Sequence, residues 1–195
     1  MRSFVFGNGK SRLNISFDEV KPYGTVYACN AVYREYAPDH LIAVDPKMIV
    51  EICESKYQLT NEVWTNPNIK FDHYENLNFF KNSRGWSSGP TALHKACIDR
   101  KNEIYILGFD YYGIGDKFNN VYADTEFYKK SSNPPTYTGN WANQLVTIMR
   151  DFPDIMFVRV MGPTTAPIKN FDGIVNYRTM EIAEFQNRIN NTKDL

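Results

Sequence analysis

A chain of 195 residues is about one domain of the usual size, with room for one proper core. It carries 22 Lys and Arg against 22 Asp and Glu, a formal net charge of 0, so no overall field draws it towards nucleic acid or an anionic membrane. With 43% hydrophobic and 15% aromatic residues it is too apolar for a disordered chain, and its ordinary Gly and Pro content excludes collagen-like and low-complexity classes.

The first β-prone run, residues 3–6, is broken at once by Gly7-Asn8-Gly9. A second run, 25–29, ends at Asn30, and a third, 40–44, ends at Asp45-Pro46. Between these two, residues 31–36 leave room for a short helical turn, closed by Pro38. Pro46 suits the first position of a helix, and Met48, Ile49, Ile52 and Cys53 follow at helical spacing. Residues 63–65 and 69–74 read as two short strands. Ser87-Ser88-Gly89-Pro90 opens a helix with Ala92, Leu93, Ala96 and Cys97 on one face. That helix feeds a strand at 103–107, which stops at Gly108-Phe109-Asp110. Residues 113–138 are polar and aromatic, and too long for an ordinary connector. Their aromatics (Phe118, Tyr122, Phe127, Tyr128, Tyr137) predict an ordered lid. A helix at about 140–151, a strand at 155–160 and a helical tail at 177–189 complete the chain.

Strands that alternate with helices and lack polar alternation predict one α/β domain over 1–195. Its core is a doubly wound, mostly parallel sheet with helices on both faces, and the aromatic lid covers one rim. In such folds ligands bind beyond the carboxyl ends of the strands. Those ends here are Gly7-Asn8-Gly9, Cys29-Asn30, Val44-Asp45 and Gly108-Phe109-Asp110. Small and polar residues therefore collect at one rim. The three cysteines, Cys29, Cys53 and Cys97, are widely spaced in mainly apolar stretches and read as buried free thiols. The N-terminal apolar run is too short for a signal peptide, and no stretch approaches ~20 apolar residues. The expectation is a soluble, cytoplasmic protein with no transmembrane segment.

Gly7-Asn8-Gly9-Lys10-Ser11 follows a strand directly, so its backbone can turn sharply and approach a phosphate or sugar. It matches neither the dinucleotide fingerprint nor the Walker spacing, and a tight strand exit capped by Asn explains it equally well. Ser87-Ser88-Gly89-Pro90-Thr91 is a helix start whose free amides suit an anion, or simply a capped N-terminus. Asp110 in Gly108-Phe109-Asp110-Tyr111-Tyr112 can hold a sugar hydroxyl or cap a turn. His40, His73 and His94 share no metal spacing, and no Ser-His-Asp order or HExxH string occurs.

In this order the strings resemble the bacterial lipooligosaccharide sialyltransferases, which use CMP-activated sialic acid. The matching segments are Val5 to Ser11, Cys29-Asn30-x-x-Tyr33, Ser87-Ser88-Gly89 and the run from Glu103 to Tyr112, with Tyr137-Thr138-Gly139-Asn140 a weaker fifth. The resemblance implies a nucleotide-sugar-binding domain and a small glycosyltransferase that needs no cofactor beyond its CMP-sugar donor. Donor binding falls to Asn8, Gly9, Asn30, Ser87, Ser88 and Gly89, with Lys10 and Ser11 completing the first loop. Tyr112 takes the place of the tyrosine that donates to the leaving phosphate, and Phe118 or Tyr122 that of a second. The acceptor is a glycan or another hydroxyl compound. Asn140 stands where the family has its histidine base, and an amide cannot accept that proton near neutral pH. Asp110, Asp116 or Asp124 would have to replace it. The family's arginine before the Ser-Gly step is out of register here, with Arg84 displaced.

Two other readings stay open. One is a nucleotide-binding protein that kept the pocket and lost the chemistry, as Asn140 suggests. The other follows a remoter resemblance to the 6-hydroxymethylpterin diphosphokinase-like and motility-accessory proteins, in which Asp45 would serve a Mg²⁺-phosphate site. The aromatic content is compatible with homo-oligomer formation, and no nucleic-acid partner is expected.

Overall fold

Short apolar segments that bury both faces build the centre of the molecule. In the computed structural model, which describes residues 2–99, 102–136 and 139–191, they form one eight-stranded sheet in the order β5-β4-β3-β2-β1-β6-β7-β8. The strands are β1 (Arg2–Phe6), β2 (Thr25–Cys29), β3 (His40–Ile42), β4 (Val63–Thr65), β5 (Leu77–Phe79), β6 (Glu103–Leu107), β7 (Met156–Met161) and β8 (Tyr177–Glu181). Every pairing is parallel, with Phe4 opposite both Val26 and Tyr105.

Side chains alternate between two cores, as the period of two requires. On one face Phe4, Phe6, Leu41 and Val158 pack with α1 (Phe17–Val20), α2 (Pro46–Glu54) and α5 (Ile182–Asn190). On the other, Val5, Tyr27, Ile104 and Phe157 pack with α3 (Ser88–Ile98) and α4 (Gly139–Asp151). The fold is thus an α/β sheet covered on both sides, as the absence of polar alternation predicts. Among the described residues no helix is long and apolar enough to cross a membrane.

Two sequence expectations fail. Residues 69–74 form no strand: Asn68 accepts from the Lys70 amide at 3.0 Å and closes a 3-10 turn at Ile69–Phe71, and the strand lies further on, at β5. The tail does not start as a helix either. Residues 177–181 are the edge strand β8, whose exposed Arg178 and Thr179 give it no apolar stripe to read.

The chain winds outward from β1 through β5 to one edge, then returns to β6 on the other side of β1. The exits of β1 and β6 therefore diverge, and a crevice opens between them. Two glycines let these exits touch. The Gly9 amide donates to the Gly108 carbonyl at 2.8 Å, and Gly108 has φ +68°. A Cβ there would sit 2.7 Å from the Gly7 carbonyl oxygen. Gly108→Ala is expected to cost roughly 1–3 kcal/mol, from left-handed strain plus that clash, read as a lowered urea midpoint with unchanged slope.

Candidate functional site

The crevice holds a cavity of about 250 Å³. Its walls are the exits of β1, β2 and β6, the first turn of α3, the segment after Tyr112, and Trp141 of α4. The lid predicted over 113–138 folds onto this rim as far as residue 136, where Phe118, Asn119, Asn120, Tyr128, Pro135 and Thr136 face the cavity. It is anchored there by the Val121 amide, which donates to the Asn8 carbonyl at 2.8 Å.

Asn8 lies two residues past the end of β1 and is 8% exposed. Its Nδ2 donates to the Cys29 carbonyl at 3.2 Å and to the Tyr128 hydroxyl at 3.4 Å. Its Oδ1 is buried and has no partner among the described residues. Asn30, held at φ +57° just past β2, has an Oδ1 in the same condition. Two residues that line one cavity thus each carry a buried, unpartnered carboxamide oxygen, which costs about 1–3 kcal/mol while it lacks a donor.

The α3 start faces them across the cavity. Ser87 is its N-cap residue but makes no side-chain cap bond, while Ser88 Oγ accepts from the Val44 amide at 3.1 Å and ties α3 to the β3 exit. The first amides of a helix have no acceptor within it, and the dipole makes this end positive. Two tyrosines add hydroxyls. Tyr112 is half-exposed at the mouth. Tyr128 accepts from Asn8 Nδ2 and from the Ala31 amide, both at 3.4 Å. Burial pushes its acidity well below that of a free phenol, so Tyr128 remains an O–H donor. Burial likewise pushes the Cys29 thiol up to about 12, leaving it protonated and inert.

Asp110 lines the cavity but is 3% exposed and fully engaged. Its carboxylate accepts from the Ser11 amide (3.0 Å), the Ser11 hydroxyl, Asn119 Nδ2 (2.9 Å) and Thr164 Oγ1 (2.7 Å). This is a clamp joining the β1 exit, the lid and the segment after β7. A carboxylate so occupied is not a free base.

The expected site residues divide accordingly. Asn8, Gly9, Asn30, Ser87, Ser88, Gly89, Asp110 and Tyr112 all line the cavity. Lys10, Ser11, Tyr122 and Asn140 do not. The Lys10 amide donates to Asn119 Oδ1 at 3.1 Å, and Ser11 is consumed by the clamp. Tyr122 is buried behind the wall, its hydroxyl accepting from Arg12 Nη2 at 3.0 Å. Tyr128 reaches the cavity instead. Asn140 is exposed in the first turn of α4, and its neighbours Tyr137 and Thr138 lie outside the described residues. Asp116 and Asp124 are exposed away from the cavity, and Asp124 accepts from the Ser131 amide at 2.9 Å. Asp45 caps α2 by accepting from the Lys47 amide at 2.8 Å. Arg84 pairs with Asp151 at 2.9 Å. Sequence reasoning missed Asn119, Tyr128, Trp141 and Thr164. The lid aromatics pointed towards Tyr128, while Asn119 and Thr164 carry no local signal.

No family model matches the sequence, and no curated protein sequence matches it. Among solved structures, the chain is similar to a point mutant of the alpha-2,3/8-sialyltransferase CstII, with 13% identity over 82% of this chain and 81% of that one, at a TM-score of 0.54. It is also similar to CstII from Campylobacter jejuni in complex with a substrate analogue, cytidine-5'-monophosphate. There the identity is 14%, covering 81% and 79% of the two chains, at a TM-score of 0.55. The chain shares its fold with a sialyltransferase.

The clamp makes a direct expectation. Asp110→Asn turns one acceptor atom into a donor facing donors, which should cost roughly 2–4 kcal/mol. Hydrogen exchange of residues 117–123 should quicken at the same time, and exchange as slow as in the parent chain would remove the clamp from its assigned role.

Proposed function

We propose that the crevice binds a nucleotide sugar of the CMP type, as a sialyltransferase-like domain. The observation that carries the reading is the pair of buried, unpartnered carboxamide oxygens on Asn8 and Asn30. They need donors, and ribose hydroxyls and the exocyclic amino group of cytosine are donors. Uracil presents an oxygen at that position and would leave an acceptor unpaired. The open amides of α3 and the Tyr112 and Tyr128 hydroxyls suit the phosphate of such a ligand. The shared fold with a sialyltransferase, one structure of which is in complex with cytidine-5'-monophosphate, supports the same reading. Asp45, which the diphosphotransferase reading would use, caps a helix and does not line the cavity.

A second reading has its own observation. Transfer to a hydroxyl acceptor requires a group that takes its proton. Among the described residues lining the cavity there is no histidine, and the one carboxylate, Asp110, is engaged by the clamp. A protein that binds the donor without transferring the sugar fits this lining.

Thermal unfolding tests binding first. CMP at about 100 times its Kd adds ~2.7 kcal/mol, which should raise the Tm by roughly 5–10 °C at this chain length. The shift should persist in EDTA and be smaller with UMP. Absence of any shift with CMP or a CMP-sugar would sink the proposal. Release of CMP from a CMP-sugar, measured with and without hydroxyl acceptors, then separates transferase from silent binder.

A further inference from the structure

An anion in this cavity meets no cation on its surface: the described lining residues include neither Lys nor Arg. Two arginines lie just behind the walls instead. Arg159 interrupts the apolar strand β7 and is 1% exposed. Its Nε and Nη2 donate to the Phe109 carbonyl at 3.2 and 2.9 Å, Nη2 reaches the Asp110 carbonyl at 3.5 Å, and Nη1 donates to the Ala166 carbonyl at 2.8 Å. The guanidinium also lies 5.2 Å from the centre of the Tyr111 ring. Phe109, Asp110 and Tyr111 all line the cavity, so this charge sits one residue beneath its floor. Arg12, 2% exposed, lies behind the β1 exit. Its Nη2 donates to Tyr122, its Nε has no partner among the described residues, and Phe17 and Tyr122 flank it at 5.6 Å.

Neither arginine forms an ion pair among the described residues. A guanidinium keeps its charge at any ordinary pH, and burying one against neutral dipoles alone is unfavourable. Asp110 is the one carboxylate among the described residues lining the cavity, and its hydrogen bonds come from Ser11, Asn119 and Thr164 rather than from either arginine. An anionic phosphate ester in the cavity would bring a counter-charge to Arg159.

We infer that Arg159, seconded by Arg12, is a positioning residue that selects an anionic ligand through the cavity floor without touching it. The inference rests on the nucleotide reading above. Buried charges interact through a low effective dielectric and are little screened by salt. The preference for an anion is therefore expected to survive at physiological ionic strength.

The test compares CMP with its uncharged counterpart, cytidine, by calorimetric titration. In Arg159→Met the CMP Kd should rise about tenfold, the order expected for losing one nearby charge at an effective dielectric of ~20, while cytidine changes by less than about twofold. Arg159→Lys, which keeps the charge but not the fork of donors, should retain most of the preference for CMP. Equal weakening of both probes would make Arg159 a structural residue only and overturn the inference, as would unchanged CMP binding. If Arg159→Met no longer melts cooperatively, Arg12→Met is read by the same ratio and decides the matter. A parent chain that binds neither probe would instead overturn the nucleotide reading, and this inference with it.

Discussion

The Asp110 carboxylate is the point on which the architecture of the rim depends. Four donors reach it from the β1 exit, the lid and the segment following β7. A charge-assisted hydrogen bond is roughly twice as strong as a neutral one, and a carboxylate that is 3% exposed must satisfy its lone pairs internally. One buried anion brings the three segments to a common place, and the cavity is the space they enclose. The same occupation takes Asp110 out of consideration as a proton acceptor, so the group that builds the cavity is not the one that could do chemistry in it.

The topology decides where this happens. A sheet that winds first to one edge and then to the other has a single place where successive exits part, here between β1 and β6. Glycines at both exits allow carbonyl and amide to meet at 2.8 Å across the parting. Asn8 inherits its role from that contact. Its Nδ2 is held by the Cys29 carbonyl and the Tyr128 hydroxyl, and its Oδ1 is left buried with no partner among the described residues. The α3 start completes the enclosure, because Ser88 is bonded to the backbone after β3 and cannot drift.

The electrostatics of the cavity are indirect. Among the described residues its lining carries one charged side chain, Asp110, held by the clamp, while the cations Arg12 and Arg159 lie behind the wall. On the inference drawn above, buried cations behind a hydrogen-bonding surface would favour an anion without touching it. This arrangement also explains why a net charge of 0 for the chain says nothing about the field inside the crevice.

The alternation of apolar runs with helical periods determined the α/β class and the position of most strands, because burial on both faces leaves a pattern that only a covered parallel sheet satisfies. Gly7-Asn8-Gly9, Asn30, Ser87-Ser88-Gly89 and Asp110 were legible as rim residues, since small and polar residues at strand ends stand out against apolar strands. The edge strand β8 was not, because an edge that faces solvent has no apolar alternation to display. Nor was the difference between Tyr122 and Tyr128, six residues apart in one lid. Which of two tyrosines faces a cavity depends on the path of the backbone between them, and that path is set by contacts to Asn8, Arg12 and Asn120. Arg159 passed unremarked within the strand read at 155–160, because its place under Phe109 and Asp110 comes from pairing β7 with β6. Local pattern determines which segments are buried; only the tertiary structure decides which buried groups find partners and which of them meet at one cavity.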